Sequence, residues 1–244
     1  MVSQHELEGP PLRKYLIVAI VATTAMAFAA TSFGATPAAT MKVSVTPKKA
    51  GTKKKPKNSS IHLTIKNNDS KRTLSKLTIT TPKTFKFSGK GLTTCKEADL
   101  VSGGPAACPK ASKLGKGTAN ALLGVNGTSP TPLHFDVTPI LVGKTRIDFN
   151  LYTPAIGNLI SPATIKGSKL TITVPDAAQQ PLPGTYAGLV DIDTTLKAKK
   201  GKHYLASTVG CKKKKHAFKT VLTFINNGVS PAGDVTVKAS SKCS

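Results

Sequence analysis

Apolar residues in this chain alternate with polar ones over short stretches, and that period of two constrains the fold more than any other feature. A strand turns successive side chains to opposite faces, so such a stretch buries one face and leaves the other in water. Ile61, Leu63 and Ile65 alternate with His62, Thr64 and Lys66; Ile147, Phe149 and Leu151 alternate with Arg146, Asp148 and Asn150. Similar runs lie near 41–46, 73–80, 83–88, 114–123, 131–138, 169–174, 184–195, 203–210, 216–225 and 233–239, separated by clusters of Gly, Pro, Asn and Ser that mark turns. Only residues 95–101 and 106–112 have helical character. No helices are long enough to carry crossovers between parallel strands. The expected fold is therefore all-β: antiparallel β-sandwiches of immunoglobulin-like type, with one or two short helices near the first pair of cysteines.

An internal repeat shapes the expected domain division. Val43, Val45, Thr46, Pro47 and Gly51 match Phe135, Val137, Thr138, Pro139 and Gly143 at an offset of 92 residues. Lys76-Leu77-Thr78-Ile79-Thr80-Thr81-Pro82 matches Lys169-Leu170-Thr171-Ile172-Thr173-Val174-Pro175 at an offset of 93. Two similar halves explain this, a sandwich over 36–128 and another over 129–244, joined at Gly124-Val125-Asn126-Gly127-Thr128-Ser129-Pro130. One larger sandwich over 36–244 is the alternative, since all-β domains reach that size.

Residues 1–35 read as an export signal. Arg13 and Lys14 precede an apolar run from Tyr15 to Ala30, followed by small residues that offer cleavage sites at Ala27-Phe28-Ala29 and Ser32-Phe33-Gly34. The run is shorter than the roughly 20 residues of a spanning helix, so no stable membrane span is expected after cleavage. Removing 1–35 takes away Arg13, Lys14, Glu6 and Glu8, which leaves the net charge at +24. Export to the extracellular space or cell envelope makes paired cysteines the expectation. Cys95, Cys108, Cys211 and Cys243 permit three pairings, and proximity favours Cys95 with Cys108 and Cys211 with Cys243. Each loop so closed contributes on the order of 3 kcal/mol. A four-cysteine metal site would need C-x-x-C pairs, and there are none, so no metal is expected.

Charge raises the question of partners. Lysine and arginine number 35 against 11 acidic residues, and arginine occurs only at 13, 72 and 146. Lysines cluster between the expected strands: Lys53, Lys54, Lys55 and Lys57; Lys199, Lys200 and Lys202; Lys212, Lys213, Lys214 and Lys215. Loop clusters of ammonium groups attract anionic polymers such as those of a cell envelope, and these lysines are the candidate anion-binding residues. Lysine is a hydrated point charge without the planar fork of arginine, and aromatic residues are only 5% of the chain. Sequence-specific nucleic-acid binding is therefore not expected.

The case for catalysis rests on Asp191 and Asp193, two apart on one expected strand, and on His134 and Asp136, placed likewise. Same-face carboxylates serve as acid and base in hydrolases and carbohydrate-active enzymes. No nucleophile elbow, phosphate-cradling glycine loop or metal-ligand spacing accompanies them, so no catalytic residue and no cofactor is assigned. The leading expectation is a secreted or envelope-associated, non-enzymatic protein that binds anionic polymers through lysine loops. An exported hydrolase using the strand-borne Asp residues is the alternative.

Thr94-Cys95, Gly104-Pro105-Ala106-Ala107-Cys108-Pro109-Lys110 and Lys113-Leu114-Gly115-Lys116-Gly117-Thr118-Ala119 resemble segments of secreted, lysine-rich all-β proteins of high-GC Gram-positive bacteria. Gln179-Gln180-Pro181-Leu182-Pro183-Gly184-Thr185-Tyr186 and the ending from Cys211 to Cys243 are similar to that group too. The resemblance implies export, β architecture and paired cysteines, and carries no activity with it.

Overall fold

Burial follows the alternation of the sequence strand by strand. In the strand Lys215–Phe224, His216, Phe218, Thr220, Leu222 and Phe224 are buried while the intervening residues face outward. Ser60–Asn67 buries Ile61, Leu63, Ile65 and Asn67 in the same way. This computed structural model describes residues 37–244; the expected signal over 1–35 lies outside the described residues.

The strands, in chain order, are β1 (Ala39–Thr46), β2 (Lys57–Asn58), β3 (Ser60–Asn67), β4 (Leu74–Thr80), β5 (Phe85–Phe87), β6 (Gly115–Leu123), β7 (Thr131–Gly143) and β8 (Arg146–Thr153). They continue as β9 (Gly157–Lys166), β10 (Lys169–Thr173), β11 (Ala187–Leu196), β12 (Lys199–Lys200), β13 (His203–Tyr204), β14 (Ala206–Thr208), β15 (Lys215–Phe224) and β16 (Gly233–Lys242). Helix α1 (Glu97–Gly103) and two 3-10 turns, Gly104–Ala107 and Lys110–Ser112, surround the first cysteine pair, as the sequence suggests; α2 (Asp176–Gln179) is a single turn.

Eleven strands form one antiparallel sheet in the order β1-β3-β11-β6-β7-β8-β9-β10-β4-β15-β16. Its two edges approach each other: Val45 N–H donates to Ser241 Oγ at 2.9 Å, Ala50 N–H to the Ser244 carbonyl at 2.7 Å, and Ser244 N–H to the Lys48 carbonyl at 2.9 Å. The result is a large, nearly closed sheet. The immunoglobulin-like pair of sandwiches expected from the repeat does not describe it, because strands of both repeat segments share one ladder: Leu77 of β4 sits opposite Ile172 of β10. The proposed join at 124–130 is the turn of the β6–β7 hairpin, paired from Gly117↔Val137 to Leu123↔Thr131.

Inward side chains make the main core, with Ile65, Leu77, Leu141, Ile147, Leu170, Leu222 and Phe224 wholly or almost wholly buried. Burying each of these contributes roughly 1.5–3 kcal/mol. A three-stranded sheet, β2-β14-β5, lies across one end and sends Phe85 and Phe87 into that core. A smaller cluster packs on the outer face of β7 and β9, where Cys95, Leu100 and Cys108 cover Ile140, Val142 and Ile160. The cysteines pair as Cys95–Cys108 and Cys211–Cys243.

Candidate functional site

Strand register brings the lysine clusters to one end of the sheet. Thr46 at the close of β1 pairs with Ser60 at the start of β3, and Leu196 at the close of β11 pairs with Ile61 beside it. Lys215, opening β15, pairs with Lys242, closing β16, and the Ser244–Lys48 hydrogen bond joins that corner to the β1–β3 connection. Lys53, Lys54, Lys55 and Lys57, Lys199, Lys200 and Lys202, and Lys212 to Lys215 therefore all belong to this end, together with Lys48, Lys49 and Lys197. The two connections 47–59 and 197–214 hold 13 lysines and no acidic residue. At the opposite end the connections 68–73, 124–130, 154–156, 174–186 and 225–232 hold Lys71 and Arg72 against Asp69 and Asp176. One end is thus strongly cationic and the other carries no net charge.

These ammonium groups lack internal counterions. Among the described residues, the ion pairs within 4.0 Å involve His62, His134 and Arg146, and none involves a lysine. Register also sets like charges face to face: Lys219 opposite Lys238, Lys215 opposite Lys242, and Lys166 opposite Lys169. Directly opposed like charges destabilise a sheet. Lys215, Lys219 and Lys238 line an open groove of about 420 Å³ with Thr80, Thr81 and Ser240, so three cations and three hydroxyls converge without a carboxylate.

The lysine turn 212–215 is held in a costly conformation. Lys215 N–H donates to the Lys212 carbonyl at 3.1 Å, and the two central residues, Lys213 and Lys214, have φ of 53° and 55°. Two consecutive left-handed residues make the hairpin turn that favours Asn-Gly, and a side chain with a Cβ costs about 1–2 kcal/mol at each such position. The Cys211–Cys243 disulfide flanks the turn, and Cys243 N–H donates to the Lys214 carbonyl at 3.0 Å.

The acidic candidates lie on the outer wall, Asp191 and Asp193 on β11 and His134 and Asp136 on β7, with β6 between them. Asp193 accepts from Thr64 Oγ1 at 2.7 Å and lies 2.8 Å from His62 Nε2; Asp191 accepts from Asn120 Nδ2 at 2.8 Å, and Asn120 Oδ1 is 2.8 Å from His134 Nδ1. His134 Nε2 is 4.0 Å from Asp136. Partial burial pushes the Asp193 carboxyl up, but hydrogen bonds from His62 and Thr64 outweigh it and hold its pKa below the ordinary value. None of Asp191, Asp193, His134 and Asp136 lines the interior cavity, and both oxygens of Asp193 and one of Asp191 are engaged by neighbouring strands. A second network ties α1 to the wall: Arg146 binds both oxygens of Glu97 and both of buried Asp148. Burial raises the Asp148 pKa, and the Arg146 hydrogen bonds oppose that rise.

Inside the sheet lies a cavity of about 140 Å³ that runs from Phe87 of the covering sheet to Ala178 of α2. Its walls are mainly aliphatic and aromatic, with no charged residue; Asn120 also borders it, its side-chain amide engaged by Asp191 and His134. Ser161 of β9 and Thr194 of β11 also line it, 3% and 6% exposed, and neither hydroxyl has a hydrogen-bond partner among the described residues. A buried polar group left unpaired costs about 1–3 kcal/mol.

No family model matches the chain, and no curated protein or solved structure shows significant similarity to it. Function therefore rests on the chemistry of these residues. Periodicity alone marks Lys219 and Lys238 as outward-facing, but only register makes them neighbours. Ser161 and Thr194 carry no motif; the one signal in the sequence is a hydroxyl at an inward position between Ile192 and Leu196, or two residues before Ala163.

Proposed function

We propose that this protein is a secreted or cell-envelope-associated, non-enzymatic β protein whose lysine-bearing end holds anionic polymers. The observation that carries this reading is the segregation of charge: 13 lysines in two adjoining connections with no acid among them, against an opposite end where two cations face two acids. Lysines that served solubility alone would be spread over both ends and interspersed with acids. The strained turn at Lys213 and Lys214 supports the same reading, because cation is kept where Asn-Gly would fit the backbone better. Opposed pairs such as Lys219 and Lys238 gain from a bound polyanion what they lack from the protein. Two disulfides are consistent with an extracellular location.

Hydrated ammonium groups on loops neutralise phosphate or carboxylate repeats and release their counterions, an interaction that depends on charge density rather than on ligand shape. Inorganic polyphosphate is a suitable probe. Binding should weaken steeply as salt rises, and each lysine removed should lower the slope of log K against log salt by roughly 0.7–0.9. Replacing Lys213→Asn with Lys214→Gly should weaken polyphosphate binding while making the protein about 1–2 kcal/mol more stable, as the turn accepts Asn-Gly. Binding that ignores salt, or that survives this double substitution unchanged, would reject the lysine end as the site.

A further inference from the structure

We infer that the interior of the nearly closed sheet is a binding site for a small, uncharged, mainly apolar molecule that carries one hydrogen-bonding group, such as a phenol, alcohol or ketone. This reading is independent of what the lysine end contacts. It begins with the inward face of β6, which presents Gly115, Gly117, Ala119 and Ala121 where neighbouring strands present Ile, Leu and Phe. Two of these glycines are dictated by backbone, since a Cβ on Gly115 would strike the Thr195 carbonyl and one on Gly117 the Asp193 carbonyl. An eleven-stranded wall encloses more space than an eight-stranded one, and the small side chains of Ala119 and Ala121, which line it, leave part of it unfilled. The resulting volume, about 140 Å³, is close to that of an engineered apolar cavity of about 150 Å³ that takes up benzene.

The lining selects the chemistry. It contains no Asp, Glu, Lys, Arg or His, so a carboxylate or ammonium ligand would be desolvated without a counterion, and a neutral molecule is favoured. Ser161 and Thr194 then supply the polar complement. Each sits on an otherwise hydrocarbon inward face, Ser161 before Ala163 and Ile165, Thr194 between Ile192 and Leu196, and each is more than nine-tenths buried with its hydroxyl unpartnered. A ligand hydroxyl or carbonyl reaching either one completes a hydrogen bond that the wall itself leaves open.

The test uses the protein with both disulfides intact and two probes of matched size, 4-fluorophenol and fluorobenzene, followed by fluorine NMR titration. Both should bind saturably at one site, with 4-fluorophenol about five- to tenfold tighter, the worth of one net hydrogen bond. Ala119→Leu, which fills the cavity, should abolish both. Ser161→Ala with Thr194→Val should erase the preference for the phenol while fluorobenzene still binds, an outcome that a misfolded variant cannot produce. The inference is overturned if neither probe saturates, if Ala119→Leu leaves binding intact, or if the double variant keeps the preference. Displacement of 4-fluorophenol by polyphosphate would also overturn it, by locating the probe on the lysines.

Discussion

Few single residues in this fold are placed at a cost, and His216 is one. Its ring is fully buried, edge-on to Phe85 at 6.2 Å, with Nδ1 3.4 Å from Thr84 Oγ1 and Nε2 unpartnered among the described residues. Burial holds its pKa below the ordinary histidine value, so the folded chain keeps the ring neutral where the unfolded chain takes up a proton. Its contribution is therefore fully present above about pH 6.5 and is lost as pH falls below that value towards the folded-state pKa. Asp193, whose pKa is lowered, acts in a separate window: its contribution stands above the ordinary carboxylate range near pH 4 and is lost below it. Thermal denaturation between pH 8 and 5 should show Tm declining below about 6.5, and His216→Leu should flatten that decline. Parallel declines in both proteins would mean that another group is responsible.

At the scale of elements, the alternation that identifies the strands fails where a strand is covered on both faces. β9 is the clearest example, since 157–166 does not alternate and is not anticipated as a strand. Ser161, Ala163 and Ile165 face inward while Ile160 on the outer face packs under the Cys95–Cys108 segment, so apolar residues fall on both faces and the period of two disappears. The cysteine pairing, by contrast, follows sequence proximity, because each bridge closes a local loop. Cys211–Cys243 does so where the edges of the sheet meet and beside the strained lysine turn. Its removal by Cys211→Ser with Cys243→Ser should cost about 2–5 kcal/mol in chemical denaturation. It should also weaken polyphosphate binding at fixed salt, because the turn then leaves its left-handed conformation. Loss of stability with unchanged binding would separate the bridge from the lysine site.

For the whole molecule, the strands that resemble one another in sequence do not divide the sheet. The matched segments put β1 beside β7 and β4 beside β10 in sequence pattern, but β4 and β10 are neighbours that complete each other's edges. Sequence similarity records which strands are alike; it holds no record of which strands pair, because pairing depends on contacts more than 100 residues apart, such as Leu63 with Thr194. The lysine clusters were legible as loops for the same reason that their convergence was not. This architecture makes a demand on the chain as a unit. Severed after Thr128, the first part would keep β3 without β11, β6 without β7 or β11, and β4 without β10 or β15. Every one of those strands would expose an unpaired backbone edge and half its inward face to water. Neither 36–128 nor 129–244 produced alone should show the circular dichroism of folded strands or a cooperative melt, whereas 36–244 should show both. A cooperative transition in either fragment would mean that the long-range ladder is dispensable, and that each repeat holds a core of its own.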